Sequence, residues 1–145
     1  MIWKKVHDLV TKIHLPVSRV ALCLIYVWFG VLKLVGLSPA GPLVEHLFNA
    51  TLAWLMPFDW FYIAFSIFEI VIGIMFIVPR LERVAFVVFI LHLVMTSMPL
   101  LLLPGDIWQY PFVPTLEGQY IIKNLALLAV GFTVFRHAEL REHGK

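Results

Sequence analysis

The chain has 145 residues, 61% of them hydrophobic and 14% charged, with a net charge of +2 and a mean hydropathy of +0.93. A soluble domain of this length has too little polar surface to cover so much apolar side chain, which excludes the soluble class and makes an integral membrane protein the expectation. Its single cysteine, Cys23, excludes an intrachain disulfide and dithiol chemistry within one chain.

In residues 1–16, Ile2, Val6, Leu9, Val10 and Ile13 fall at helical spacing opposite Lys4, Lys5, Asp8 and Lys12. This predicts an amphipathic helix lying on the cytoplasmic membrane surface and ending at Pro16, not a cleaved signal peptide. His7 and His14 then sit at headgroup level.

Crossing the hydrocarbon core takes about 20 apolar residues in a helix. Four windows qualify: Val17–Leu37, Trp60–Val78, Val84–Leu103 and Leu116–Phe135. The last is the least apolar, with Glu117, Gln119, Lys123 and Asn124 in its first half. No window alternates with period two, which excludes a β-barrel pattern. The expected fold class is all-α, a polytopic membrane four-helix bundle preceded by an interfacial helix.

Two loops on the opposite side carry weaker signals. Ser38 followed by Pro39 is a helix-start signal, and Pro42 to Trp54 reads as a short interfacial or re-entrant helix. The stretch PGDIWQYPFVPT holds three prolines with Trp108, Tyr110 and Phe112. It reads as a stiff aromatic lid at headgroup level.

Basic residues set the orientation. Lys4, Lys5, Lys12 and Arg19 precede the first span, Arg80 and Arg83 join the second and third, and Arg136, Arg141 and Lys145 follow the fourth. Both termini are therefore expected in the cytoplasm. Two of the eleven basic residues break the pattern, Lys33 and Lys123.

Each span gathers its small and polar residues at steps of three and four, which return to one side of a helix. The first carries Arg19, Cys23, Tyr26, Gly30 and Lys33; the second Tyr62, Ser66, Glu69 and Gly73. The third carries Ala85, His92, Thr96 and Pro99; the fourth Tyr120, Asn124 and Gly131, with Lys123 at its edge. Gly30, Gly73 and Gly131 are expected to let helices approach closely.

The ionisable residues need another reason, since a charge at the bilayer centre costs about 2.5–3.5 kcal/mol even on lenient insertion scales. Counting roughly 1.5 Å per residue, Glu69 lies about 15 Å below the outer surface, with His92 at similar depth. Lys33 and Lys123 lie about 5 Å below the outer boundary by the same count. The expectation is an outward-opening polar pocket in which Lys33 and Lys123 answer Glu69, lined also by His92, Asn124, Tyr26 and Tyr62. Without a partner, Glu69 would be protonated.

The segments YVWFGVLKLVG, FEIVIGIMFIVPR and PTLEGQYIIKNLALLAVG resemble, in order and spacing, the DoxX family of small four-helix membrane proteins. That resemblance implies an accessory membrane subunit in a bacterial cytoplasmic membrane. One branch of the family partners a thiosulfate:quinone oxidoreductase, and others associate with thiol-stress or detoxifying enzymes. It carries functional weight onto Gly30, Lys33, Glu69, Gly73, Lys123 and Asn124. The chain holds no soluble sulfur-handling domain, so stand-alone thiosulfate activity is not expected.

Two functions follow. One is a subunit of a membrane oxidoreductase system whose pocket takes quinone, with electrons from a membrane or soluble oxidoreductase partner. Haem between helices wants paired axial ligands, and His92 is the one mid-membrane histidine. The alternative is non-enzymatic: a transporter-like, chaperone or scaffold subunit, with a homo-oligomer adding to four spans. No metal site is expected, since neither zinc spacing nor HExxH occurs, and a phosphate-cradling glycine loop is also missing. The basic residues track the membrane face, so nucleic acid is not an expected partner.

Overall fold

A computed structural model of the chain describes residues 2–143, with side chains to 141; Lys145 lies outside the described residues. The elements are α1 (Ile2–Leu34), α2 (Gly41–Thr51), α3 (Phe58–Ile77), α4 (Glu82–Ser97), two single turns α5 (Pro99–Leu102) and α6 (Pro104–Ile107), strands β1 (Trp108–Tyr110) and β2 (Val113–Pro114), and α7 (Leu116–His143). Four helical stretches, Ile2–Leu34, Phe58–Ile77, Glu82–Leu102 and Leu116–Arg141, are long and apolar enough to cross a membrane.

Consecutive long helices run antiparallel, as their contacts require. Arg19 meets the end of α3 at Phe76 and Ile77, whereas Gly30 meets its middle at Ser66 and Ile70. Glu69 pairs with His92 and Phe76 with Phe89 across α3 and α4. Phe86 packs on Phe132 and Phe135 across α4 and α7. The core between the four is Leu22, Tyr26, Ile72, Phe76, Ala85, Phe86, Phe89, Leu93 and Val134.

Glycine sets the spacing of α1 and α3. A Cβ on Gly30 would lie 2.6 Å from Cγ1 of Ile70 and 2.8 Å from the Ser66 carbonyl oxygen. One on Gly73 would lie 2.9 Å from Cγ2 of Val27 and 3.0 Å from the Cys23 carbonyl oxygen. The two backbones are therefore in near contact, the arrangement that small residues permit in apolar surroundings. Gly131 plays the same part on α7, where a Cβ would meet the Phe89 ring at 2.6 Å.

Several expected boundaries move. The first helix does not end at Pro16 but runs unbroken from Ile2 to Leu34. Proline removes one donor, leaving the Lys12 carbonyl without its helical bond; Lys12 and Pro16 are both exposed, so solvent can meet that oxygen. The third stretch begins at Glu82, earlier than expected, and changes at Met98, before Pro99, from α4 to the single turn α5. There the Met98 amide, 3.2 Å from the Met95 carbonyl, tightens the last turn. The fourth helix does not stop at Phe135 but continues to His143, since no proline or glycine interrupts 132–143. The short outer helix is α2, beginning at Gly41 with Pro42 in its first turn.

The expected aromatic lid contains a small antiparallel hairpin, β1 with β2. Phe112 stands in its turn at φ 64°, a left-handed conformation unusual for a bulky residue. Thr115 joins the hairpin to α7. Its amide donates to the Ile107 carbonyl at 2.8 Å, and its hydroxyl accepts from the Gly118 amide at 3.1 Å, as an N-cap does.

Candidate functional site

The stripes on α1, α3 and α4 meet in one buried network. Lys33 Nζ lies 2.6 Å from Glu69 Oε2, and His92 Nε2 lies 3.0 Å from Glu69 Oε1. On the other side of the imidazole, Nδ1 is 3.0 Å from the Tyr26 hydroxyl. Lys33, Glu69, His92 and Tyr26 are each at most 6% exposed.

Helix geometry explains why these four converge. Tyr26 and Lys33 are seven residues apart, two turns along one face of α1 and about 10 Å in height. Glu69 stands on the α3 face that the glycine contacts hold against α1. His92 stands on the α4 face that packs on both. The close approach at Gly30 and Gly73 is what lets a lysine stem reach the carboxylate directly.

One arrangement of protons pairs every member and leaves the cluster neutral. With Lys33 donating to one oxygen of an ionised Glu69, His92 donates Nε2–H to the other, and Nδ1 is left to accept the Tyr26 O–H. The charges are then +1 on Lys33, −1 on Glu69 and zero on the other two, so the buried cluster is neutral and each member is paired. Unpaired, a buried charge would be far costlier.

Aromatic rings fill the space around it. Phe65 stacks on His92 at 5.4 Å and 15°, Tyr26 meets it edge-on at 5.0 Å, and Phe68 lies 6.2 Å away. The Lys33 ammonium sits 5.7 Å from the Phe65 ring centre. Ring contacts continue outward, from Phe65 stacked on Phe61 to a tilted contact of Phe61 with Phe48 of α2. The polar groups thus meet by direct contact within a packed interior, where the sequence suggested an open pocket. The reason is the width of the gap, which Gly30 and Gly73 close.

The remaining expected residues stand apart from the network. Tyr62 is half-buried and its hydroxyl faces Ser38 in the loop before α2. Lys123 does not join Glu69: it is exposed on α7, with its ammonium 5.0 Å over the Tyr120 ring. Asn124 is half-buried beside it. The helical phase of α7 accounts for this, since Ile121, Gly131, Val134 and Ala138 form its buried face and turn Lys123 away. Gly30, Gly73 and Gly131 all sit at helix contacts, as expected.

A second polar cluster at the Arg19 end of the helices was not anticipated. Glu82, 4% exposed, accepts from Arg19 at 3.3 Å and from Arg141 at 3.2 Å, while Arg83 pairs with Glu139 at 2.6 Å. Arg19 also donates to the carbonyls of Phe76 and Ile77, each at 2.7 Å, closing the end of α3. This clamp ties four helices together. Its signal was present in the acidic residues Glu82 and Glu139 among the basic residues that flank the spans. On the other side, His46 and Asp106 pair at 2.9 Å, linking α2 to α6. Compared with protein-family models, curated proteins and solved structures, the chain matches none.

Proposed function

We propose that the chain is a DoxX-like integral membrane protein, a four-helix bundle with its N-terminal segment on the cytoplasmic surface. In this reading it serves as an accessory subunit of a membrane oxidoreductase system in a bacterial cytoplasmic membrane. The observation that carries the reading is the buried Tyr26–His92–Glu69–Lys33 network. Intramembrane ionisable groups mark proton and substrate routes, and here a proton can shift between Lys33, Glu69 and His92 without changing the net charge of the cluster. Electrons come from a partner.

Quinone suits this site in chemistry, since Lys33 and Tyr26 are donors for a carbonyl oxygen, while His92 holds an exchangeable proton and the Glu69 carboxylate can accept one. The flat position over His92 is filled by Phe65, which must turn aside for a ring to reach these groups. Bound quinone would supply a two-electron acceptor; the residues of the chain supply hydrogen bonds and protons. The scaffold reading draws on the same packing: a satisfied, ring-filled network also works as glue between helices.

Purified protein, extracted and chromatographed, is expected to yield bound quinone, and added quinone analogues to quench tryptophan fluorescence. Both signals are expected to fall in Glu69→Gln. No bound quinone and no quenching would leave the scaffold.

A further inference from the structure

One membrane-facing surface differs from the other three. From residue 17 to 34 on α1, 60 to 77 on α3 and 84 to 97 on α4, every exposed side chain is apolar or aromatic. On α7, Lys123 is exposed about 10 Å along the helix from Leu116. Beside it, half-buried Asn124 has no side-chain hydrogen-bond partner among the described residues. The Lys123 ammonium has the Tyr120 ring at 5.0 Å but no anion among the described residues, and lipid tails offer neither it nor the unpaired amide a hydrogen bond.

We propose that this outer half of α7 is the docking face for a transmembrane helix of a different protein. That helix carries a carboxylate at the height of Lys123. A carboxylate accepts from both the ammonium and the Asn124 amide, which completes what the chain leaves open. A second copy packed α7 against α7 does not supply it. Two α7 helices related by a two-fold axis bring Lys123 against Lys123. Glu117, six residues earlier, lies about 120° around the helix from Lys123 and roughly 9 Å further out. Glu69 and Glu82 are already held by internal cations. The proposal rests on the accessory-subunit reading for the presence of a partner, but its residues lie outside the network that the quinone experiment probes.

The test uses the full chain in phosphatidylcholine vesicles with synthetic Leu/Ala transmembrane peptides, one bearing a single Glu a third of the way from its outer end and one bearing Gln there. Energy transfer from labelled protein is expected to report about three- to tenfold tighter association of the Glu peptide. Lys123→Met is expected to abolish that preference while leaving quinone quenching unchanged. Transfer that is equal for the two peptides, or absent for both, overturns the proposal and leaves Lys123 reaching lipid phosphates. Stronger transfer between two copies of the protein than to the Glu peptide overturns it in favour of a homo-oligomer. Loss of quinone binding with the Glu preference intact would sink the quinone reading alone.

Discussion

Glu69→Gln is expected to lower the stability of the purified protein by about 2 kcal/mol, and Lys33→Met on the same chain to recover part of that loss. Glutamine keeps the shape and can still accept from His92 Nε2, so the lost quantity is the anion that Lys33 faces at 2.6 Å. Breaking one side of a buried ion pair in a soluble core costs about 3–5 kcal/mol, because the other charge is stranded. In a membrane the cost is smaller, since the unfolded reference state also finds partners for its polar groups. Lys33 is in the last turn of α1 and can relax outward, which lowers it further. The coupling between the two positions is expected to be at least about 0.5 kcal/mol. Strictly additive losses in a double-mutant cycle, read from denaturation in detergent, would mean that the two residues do not share a site.

The second large effect is expected from Gly30→Leu. Even an alanine Cβ at this position would sit 2.8 Å from a backbone oxygen, an atom that no rotamer change can move. α1 and α3 must therefore separate, at a cost of about 1–3 kcal/mol for overpacking, occasionally more. The damage also reaches the chemistry: a wider gap lengthens the Lys33–Glu69 contact, so quinone-analogue quenching is expected to fall with stability. Gly105→Ala is the control, because nothing lies within 4 Å of a Cβ there and surface changes are usually within about 0.5 kcal/mol. Equal midpoints of thermal unfolding for the two variants would contradict the close helix contact.

The residues that form the network were legible because three of the helices obey a simple period. Steps of three and four put Tyr26, Gly30 and Lys33 on one face of α1 and Ser66, Glu69 and Gly73 on one face of α3, and the same count set His92 level with Glu69. The charge pattern also marked Lys33 as needing an anion. Lys123 carried the same mark, yet α7 turns it outward. Its first half mixes Glu117, Gln119, Lys123 and Asn124 among apolar residues, so no single stripe dominates and packing of Gly131 on Phe89 sets the phase. The clamp around Glu82 was hidden for another reason: its partners Arg19 and Arg141 belong to distant parts of the chain, and a charge at a helix end reads equally well as a solvated one. Pro16 misled because proline removes one hydrogen bond without always ending a helix, and α1 continues past it with Lys12 and Pro16 exposed to solvent.

Glu69, held by Lys33 and His92, is expected to be ionised inside the membrane. Infrared difference spectra of wild type against Glu69→Gln in lipid vesicles address this directly. The expected difference is the symmetric and antisymmetric stretch of a carboxylate, shifted when Lys33 is replaced by Met. A carbonyl stretch of a protonated acid, unchanged by Lys33→Met, would contradict it and return Glu69 to a neutral side chain in an apolar interior.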